Sequence, residues 1–445
     1  MQQVEQVVAP TGFLGERVTG RWLPRPLLRL RGGCGAPEMH DGISRGSAGG
    51  VSVDVGTTAT WPADKRCGAS YEVRSEVVGR EALSLLQGPW RELCARVVED
   101  NVYYSPRYAG ALLSSVEKNT DLYVAVVWHG ADLVAMLPFT IPRPGVPLLQ
   151  PAGRAWRSEH TFSCTPLLDR NCTREAAAAL VDALAAVRPG EWLLPTLNIQ
   201  GDACRAIIWA LEQRGRPWLL LNHFQRASLE GTGTLDEHLK TYVPATRRRS
   251  LTRNQRRLGQ LGKVDHEVHY SGAGLDRAVA AFLTIEASGW KGRRGTALGC
   301  NSDTHRFAIA AFTGHGDQST CRADVLSLNG KPIAVSLIVF AGSTGFAVKT
   351  CYDETYCSYG VGLLLEVEIV NSFLAGRWAH RLDAATAGAH VLDGLWPGRI
   401  DVADLVFSLN PRWGEARLLA LRSASVLQQR VKSGLARCLN PLRTA

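Results

Sequence analysis

Between Ala323 and Leu374 the chain passes through three strand-length segments, a turn holding two glycines, and an amphipathic helix. The segments ADVLSLNG (323–330), KPIAVSLIVFAG (331–342) and TGFAVKTCYD (344–353) are joined by Asn329-Gly330 and by Ala341-Gly342-Ser343. Asn-Gly is the strongest short-range hairpin signal, so these strands form an antiparallel meander. Gly360 and Gly362 follow where the chain turns from strand to helix, and Leu363, Leu364, Leu365, Val367, Ile369 and Val370 supply the helix's apolar residues. A glycine turn that opens onto a helix presents unpaired backbone N–H groups and the positive end of the helix dipole, a setting for an anion such as a pyrophosphate. The same residues also serve ordinary chain reversal.

The order around this stretch occurs twice. In the first half, strand 71–78 is followed by a helical region 81–97 broken at Gly88-Pro89 and by a helix starting at Ser105-Pro106. Strands 121–128 and 133–142 form a hairpin about His129-Gly130-Ala131-Asp132, and an extended stretch runs from 146 to 168. Helix 173–187, strand 191–198, helix 203–214 and strand 218–229 complete it. In the second half, helices are expected at 234–262, 274–290 and 303–314, with strand VDHEVHY between the first two. The meander, helix 362–375, strands 378–385 and 402–409, and helix 413–433 follow. Two halves with one element order predict an α/β (α+β) fold, mostly antiparallel sheet flanked by helices, as a structural pseudo-repeat. The expected division is 69–229 and 230–445, with the boundary near Ala227 to Gly233, after a disordered extension over 1–68 rich in Gly, Arg, Pro and Ser.

A chain of 445 residues exceeds one ordinary core, which agrees with two domains. No apolar run approaches the roughly 18 residues that span a bilayer. The N-terminus has no signal-peptide pattern, and the eleven cysteines are odd in number and scattered, so the expectation is a cytoplasmic protein with reduced thiols. No metal is expected: no cysteine pair has zinc-site spacing, and His266 and His269, three apart on a strand, point to opposite faces. The net charge of +9 is concentrated between Lys240 and Lys263, where eight Lys or Arg occur with no acid. Such a run is either a solvated helix face or a patch for an acidic partner: cofactor phosphates, a carrier protein or nucleic acid. Only Tyr242 interleaves with it, which argues against stacking on bases and against nucleic acid.

Four segments, RRRSLTRNQRRLGQLG (247–262), EASGWKGRRGTAL (286–298), GKPIAVSL with FAVKTCYDETY (330–356), and YGVGLLLEVEI (359–369), give the chain a family likeness. Over about Ser70 to Leu409 it resembles the GNAT-type acyltransferases of the cellulose-biosynthesis CelD/BcsL group, tandem-GNAT proteins related in architecture to the FemAB transferases. The resemblance implies two tandem GNAT-like domains and acetyl-CoA or another acyl-CoA as co-substrate. It places the CoA pyrophosphate on Ser358, Tyr359, Gly360, Val361, Gly362 and Leu363, and sets strand 344–353, with Val348 and Thr350, beside the pantetheine. This chain has Cys357 where the family pattern has Gln or Arg, which leaves room for a donor other than acetyl-CoA. The first half has PLLDRNCTREAAAAL at the equivalent place, with no glycine, so a single donor site is expected, on the second domain.

Transfer to an amine needs a base, donors for the oxyanion and an acid for the thiolate. Lys349, Cys351 and Asp353 share one strand face, Thr350 and Tyr352 the other. Tyr352 or Tyr356 is a candidate acid, or an amphipathic packing residue. Asp383 is the candidate base, or a strand-end cap for the next loop. His380, three residues earlier, points the other way, which argues against a dyad. Trp290 and Lys291 are expected to line the acceptor, with Lys349 and Asp353, although a helix end followed by Gly292 also accounts for the first two. Cys357, before a helix N-terminus, would be a stabilised thiolate, but direct transfer is simpler. Glu159-His160 either faces the cleft or lies on the surface. The expected function is N-acyl transfer to a small-molecule or glycan amine, such as an amino sugar or polysaccharide precursor. The alternatives are a FemAB-like aminoacyl transferase using tRNA and a non-catalytic accessory protein. The oligomeric state is not legible.

Overall fold

The structure, a computed structural model, describes residues 73–142, 151–314, 320–386 and 391–423. The extension 1–68 and the part of the expected helix 413–433 beyond residue 423 lie outside the described residues, and 414–423 are helical. The strands are β1 (Val73–Gly79), β2 (Tyr123–His129), β3 (Asp132–Thr140), β4 (Gly153–Ala155), β5 (Leu167–Leu168), β6 (Glu191–Asn198), β7 (Trp218–Glu230), β8 (Val264–His269), β9 (Cys321–Leu328), β10 (Lys331–Ala341), β11 (Thr344–Tyr352), β12 (Arg381–Asp383) and β13 (Gly398–Ser408). The helices are α1 (Gln87–Ala95), α2 (Pro106–Leu113), α3 (Thr173–Val187), α4 (Asp202–Glu212), α5 (Leu235–Tyr242), α6 (Ala245–Gly259), α7 (Gly272–Ser288), α8 (Trp290–Arg293), α9 (Ser302–Phe312) and α10 (Val361–Gly376).

Local chemistry sets many of these bounds. Ser105 accepts a hydrogen bond from the Tyr108 N–H with Pro106 at the first position of α2, and Thr234 with Glu237 forms a capping box on α5. Asn329 and Gly330 both have positive φ, 51° and 77°, the geometry a two-residue hairpin requires between β9 and β10. Several bounds differ from the sequence expectation. The region 81–97 breaks at Leu85-Leu86 rather than at Gly88-Pro89, because Pro89 falls in the first turn of α1, where its missing N–H has no partner to lose. The helical run 234–262 is split at Val243-Pro244 into α5 and α6. The strand expected over 378–385 is only three residues long, since Arg377 (φ 45°) ends α10 in a left-handed turn and Ala385 (φ 50°) turns the chain away.

All thirteen strands belong to one mixed, mostly antiparallel sheet in the order β1-β2-β3-β4-β6-β13-β7-β12-β11-β10-β9-β8, with β5 on β3. The C-terminal strand β13 lies between β6 and β7, pairing antiparallel with both. The expected boundary, Ala227 to Gly233, falls on the last residues of β7 and the turn into α5. Helices cover both faces of the second half's strands. On one face Val335, Leu337, Val339, Phe346 and Val348 pack with α7 and α9 into the core that also holds the first half. On the other, Ala334, Ile338 and Leu326 pack with Val361, Leu365, Ile369 and Phe373 of α10 and Leu251 and Leu258 of α6. Strand β11 is therefore enclosed by helices above and below, and only its edge is free to meet a ligand.

Candidate active site

That edge is the centre of the site. β11 and β12 run parallel but pair only over Thr344–Phe346 and Arg381–Asp383. From Ala347 to Tyr352, β11 pairs with β10 on one side and, among the described residues, has no strand partner on the other. A bulge opposite Leu337/Ile338 leaves Val348 as the extra residue just where the two strands part. The result is a wedge whose wall is a row of peptide groups.

The wedge leads to a helix start. After β11 the chain makes a 3-10 turn, Glu354–Tyr359, and then Gly360 adopts φ 63°, ψ 39° as the N-cap of α10. Among the described residues no side chain caps this helix, so the N–H groups of its first turn have no side-chain acceptor, and Gly362 and Leu363 are the partly exposed residues there. Val361 is wholly buried in the core beneath α10. Gly362 lies inside the first helical turn, and a Cβ there would stand 3.0 Å from Tyr352 Cδ1, so its glycine serves close packing. Cys357 and Ser358 are exposed, and Tyr359 is half-buried beneath Arg257, whose Cζ is 4.9 Å from the ring centre. Arg257 also donates to the Ser358 carbonyl at 3.4 Å. Helix α6 of the basic run therefore borders the loop.

On the α7 face of β11 stands Lys349. Burial, and then the charge of Lys291, push its ammonium down to about 8, against the pull of Glu286 and Glu159. Glu286, 4% exposed, accepts from Lys291 Nζ at 2.8 Å and from the Leu298 N–H at 2.8 Å. His160, from the first half, stacks on Phe307 with ring centres 4.9 Å apart. Burial, with the Lys349 charge added, lowers its imidazole to about 3 and keeps it neutral. Helix α8 is tied to the turn after β11 by Glu354, which takes the Trp290 N–H at 2.7 Å and Arg293 Nη2 at 2.8 Å. Both halves thus contribute side chains to the surroundings of Lys349. The part of Glu354, which ties α8 to the turn before α10, was not foreseen, and nothing in local sequence marks a contact across 64 residues.

The other expected residues are more dispersed. Asp383 is 7% exposed, lies 3.4 Å from Arg226 Nη1, and accepts the Ala385 N–H at 2.8 Å. Asp353 accepts from the Thr355 N–H at 3.0 Å and its hydroxyl at 2.7 Å, capping the 3-10 turn. Tyr352 is exposed at the end of β11, and burial, then Cys357 and Glu354, raise its phenol above the usual value. Tyr356 is half-buried beside Tyr359. Thr350 faces α10, exchanging a hydrogen bond with Ser336 at 3.0 Å and donating to Glu366 Oε1 at 3.4 Å. On the underside of α10, Glu366 is 4% exposed, and its Oε2 has no hydrogen-bond partner among the described residues. Burial, and then Asp324, raise its carboxyl to about 8. Asp324 is held by Arg322 at 2.7 Å and His266 at 2.9 Å.

The first half has the same wedge in outline, with β4 and β6 parallel over two residues. Trp156, 1% exposed, follows β4 and stacks on Tyr104. Before α3 stands Asp169, paired with Arg96 and accepting the Asn171 N–H. A carboxylate at that helix start disfavours a phosphate, so the two halves are unequal as anion sites.

Residues 245–389 match the family model of the acetyltransferase (GNAT) domain. The chain contains an acyltransferase domain. The matched span holds α6, α7, the meander, the open edge, the loop and α10. No curated protein matches the chain. Solved structures similar to it include FemX, at 10% identity over 74% of this chain and 97% of that one, with a TM-score of 0.48. Another is a tandem GNAT protein from the clavulanic acid biosynthesis pathway, at 14% identity over 76% and 99%, with a TM-score of 0.39. Among the described residues no helix is long and apolar enough to cross a membrane, and no group of three or more His, Cys, Asp or Glu is placed to hold a metal ion.

Proposed function

We propose that the protein transfers an acyl group from an acyl-CoA thioester to a primary amine by direct attack, without a covalent enzyme intermediate. The observation that carries this is the free edge of β11 from Ala347 to Tyr352 leading to the uncapped start of α10. An extended amide-bearing arm adds to such an edge as a strand would, and a phosphate suits the helix start. Val348 and Thr350 contribute backbone groups along the arm, and Ser358 to Leu363 hold the phosphates. The bound thioester supplies an activated carbonyl, and the edge N–H groups beside the bulge are the donors for its oxygen.

In this reading Lys349, as the neutral amine, takes the proton that the attacking nitrogen loses as the C–N bond forms and the C–S bond breaks. A group near 8 is well matched to that task at neutral pH. Tyr352, kept protonated, returns a proton to the leaving thiolate. Asp383 shapes the strand end through Arg226 and the Ala385 N–H. Trp290, Lys291 and Asp353 border the acceptor, with His160 completing the cleft. The likeness to the CelD/BcsL group supports an amino sugar or polysaccharide precursor as acceptor, and the CoA donor and reduced thiols support a cytoplasmic setting.

Isothermal titration with acetyl-CoA and longer acyl-CoA thioesters tests the donor site. Micromolar binding is expected, and no heat with any of them would sink the proposal. Lys349→Gln is expected to lower kcat by about 10²- to 10⁴-fold with donor affinity unchanged. The wild-type rate should rise with pH to a plateau above about 8, following Lys349. A flat profile would remove Lys349 from the chemistry.

A further inference from the structure

Helix α6 carries six arginines, Arg247, Arg248, Arg249, Arg253, Arg256 and Arg257, and among the described residues none is ion-paired with a carboxylate. Arg247 and Arg248 are held against carbonyls, of Val391 and of Leu239, Lys240 and Val243. Arg249, Arg253, Arg256 and Arg257 are exposed. Arg248, Arg249, Arg253 and Arg256, with Ala245 and Thr252, line one shallow groove of about 410 Å³. Arg249/Arg253 and Arg253/Arg257 are like charges four apart, each pair costing the helix a few tenths of a kcal/mol. A helix that keeps such repulsion on its open face, and none of the available acids, is suited to a partner that brings the negative charge.

The place of the helix limits what that partner is. Arg257 touches Ser358 and Tyr359 of the phosphate loop, and Asn254 Nδ2 stands 3.1 Å from where a Cβ on Gly360 would be. The loop's own exposed side chains, Cys357 and Ser358, are uncharged. The cations thus lie beside the phosphate site, in a row extending about 12 Å from Arg248 to Arg256 at 1.5 Å per residue. A free CoA concentrates its charge on its own phosphates. An acyl carrier protein presents the same pantetheine arm through one phosphodiester, flanked by an acidic helix of comparable length. Nucleic acid is less suited, because the exposed face of α6 has no aromatic residue for stacking.

We propose that the exposed arginine face of α6 docks the acidic helix of a phosphopantetheinylated acyl carrier protein, which delivers the acyl thioester to the edge of β11. This rests on the donor site proposed above and names the carrier of the thioester. Rim charges of this kind act mainly on the association rate and are screened by salt.

The test uses the full chain and the triple variant R249E/R253E/R256E, titrated with a fluorescently labelled bacterial acyl carrier protein in its acetyl-phosphopantetheinyl form. Acetyl-CoA is titrated in parallel, with a short single-stranded RNA as competitor. The expected result is carrier-protein binding that weakens at least tenfold more than acetyl-CoA binding does in the variant, and that weakens further with rising salt. Acetyl-CoA binding without carrier-protein binding at low salt would overturn the docking proposal and leave the donor site standing. Carrier-protein binding that the charge reversal does not alter would also overturn it. RNA binding tighter than that of the carrier protein, and lost in the variant, would assign the face to nucleic acid instead. If neither acetyl-CoA nor the carrier protein binds, the donor site itself is refuted, and the docking proposal with it.

Discussion

Two ionisable side chains flank β11 from opposite faces, and each is displaced toward neutrality by burial. Lys349, on the α7 face, is drawn down to about 8, and Glu366, below Thr350 on the α10 face, is pushed up to about 8. For Glu366 the folded value stands above the ordinary 4.5. The folded state therefore holds a proton that the unfolded chain has released between those values, and stability falls as pH rises from 4.5 through about 8. Urea unfolding of Glu366→Gln should lack this decline, with a midpoint above that of wild type at pH 8. An unchanged pH dependence would show that Glu366 is ionised in the fold. Neither environment was legible in the sequence. Lys349 stood out only by its strand position, and Glu366 was hidden in the apolar run of its helix, because desolvation depends on what α7 and α10 bring over the sheet. Asp383 illustrates the same point: its neighbour Arg226 is 157 residues away in the chain.

At the level of elements, the turn into α10 is where backbone geometry and binding coincide. Gly360 has φ 63° and ψ 39°, a region that an L side chain enters at a cost of about 1 kcal/mol. Gly360→Ala is expected to lose about that much stability and to weaken thioester binding, while Gly360→Asn, which tolerates this region, should lose less of both. Equal losses for Ala and Asn in chemical denaturation and titration would argue against a backbone origin. This element was the clearest in the sequence, since Asn329-Gly330, the alternating strands and the Gly360 turn each follow from local preference. The wedge beside it was not. A full strand is expected over 378–385, and the left-handed turns at Arg377 and Ala385 shorten β12 to three residues. The brevity of β12 creates the free edge.

For the whole molecule the decisive feature is β13. It lies between β6 and β7, so the sheet of the first half is completed by a strand from near the end of the described chain. We propose the division into 69–229 and 230–445 as one of function, with the donor site in the second part. Unfolding is expected to be one cooperative transition. Denaturant curves followed by far-ultraviolet circular dichroism and by single-tryptophan variants retaining Trp192 or Trp378 should coincide, and separated midpoints would show that the halves melt independently.

The same strand sets a timetable for synthesis. About 200 residues separate the end of β6 at Asn198 from the start of β13 at Gly398, roughly 10–40 s of elongation at typical rates. Throughout that interval the edge of β6 that β13 will cover is open on the ribosome, and an uncovered edge invites pairing with other chains. Ribosome-arrested chains ending before Gly398 are therefore expected to be cut by protease within 191–230 and to recruit chaperones, and chains extended past Ser408 should be protected. Equal protection of both would mean that the first half closes its sheet without its last strand.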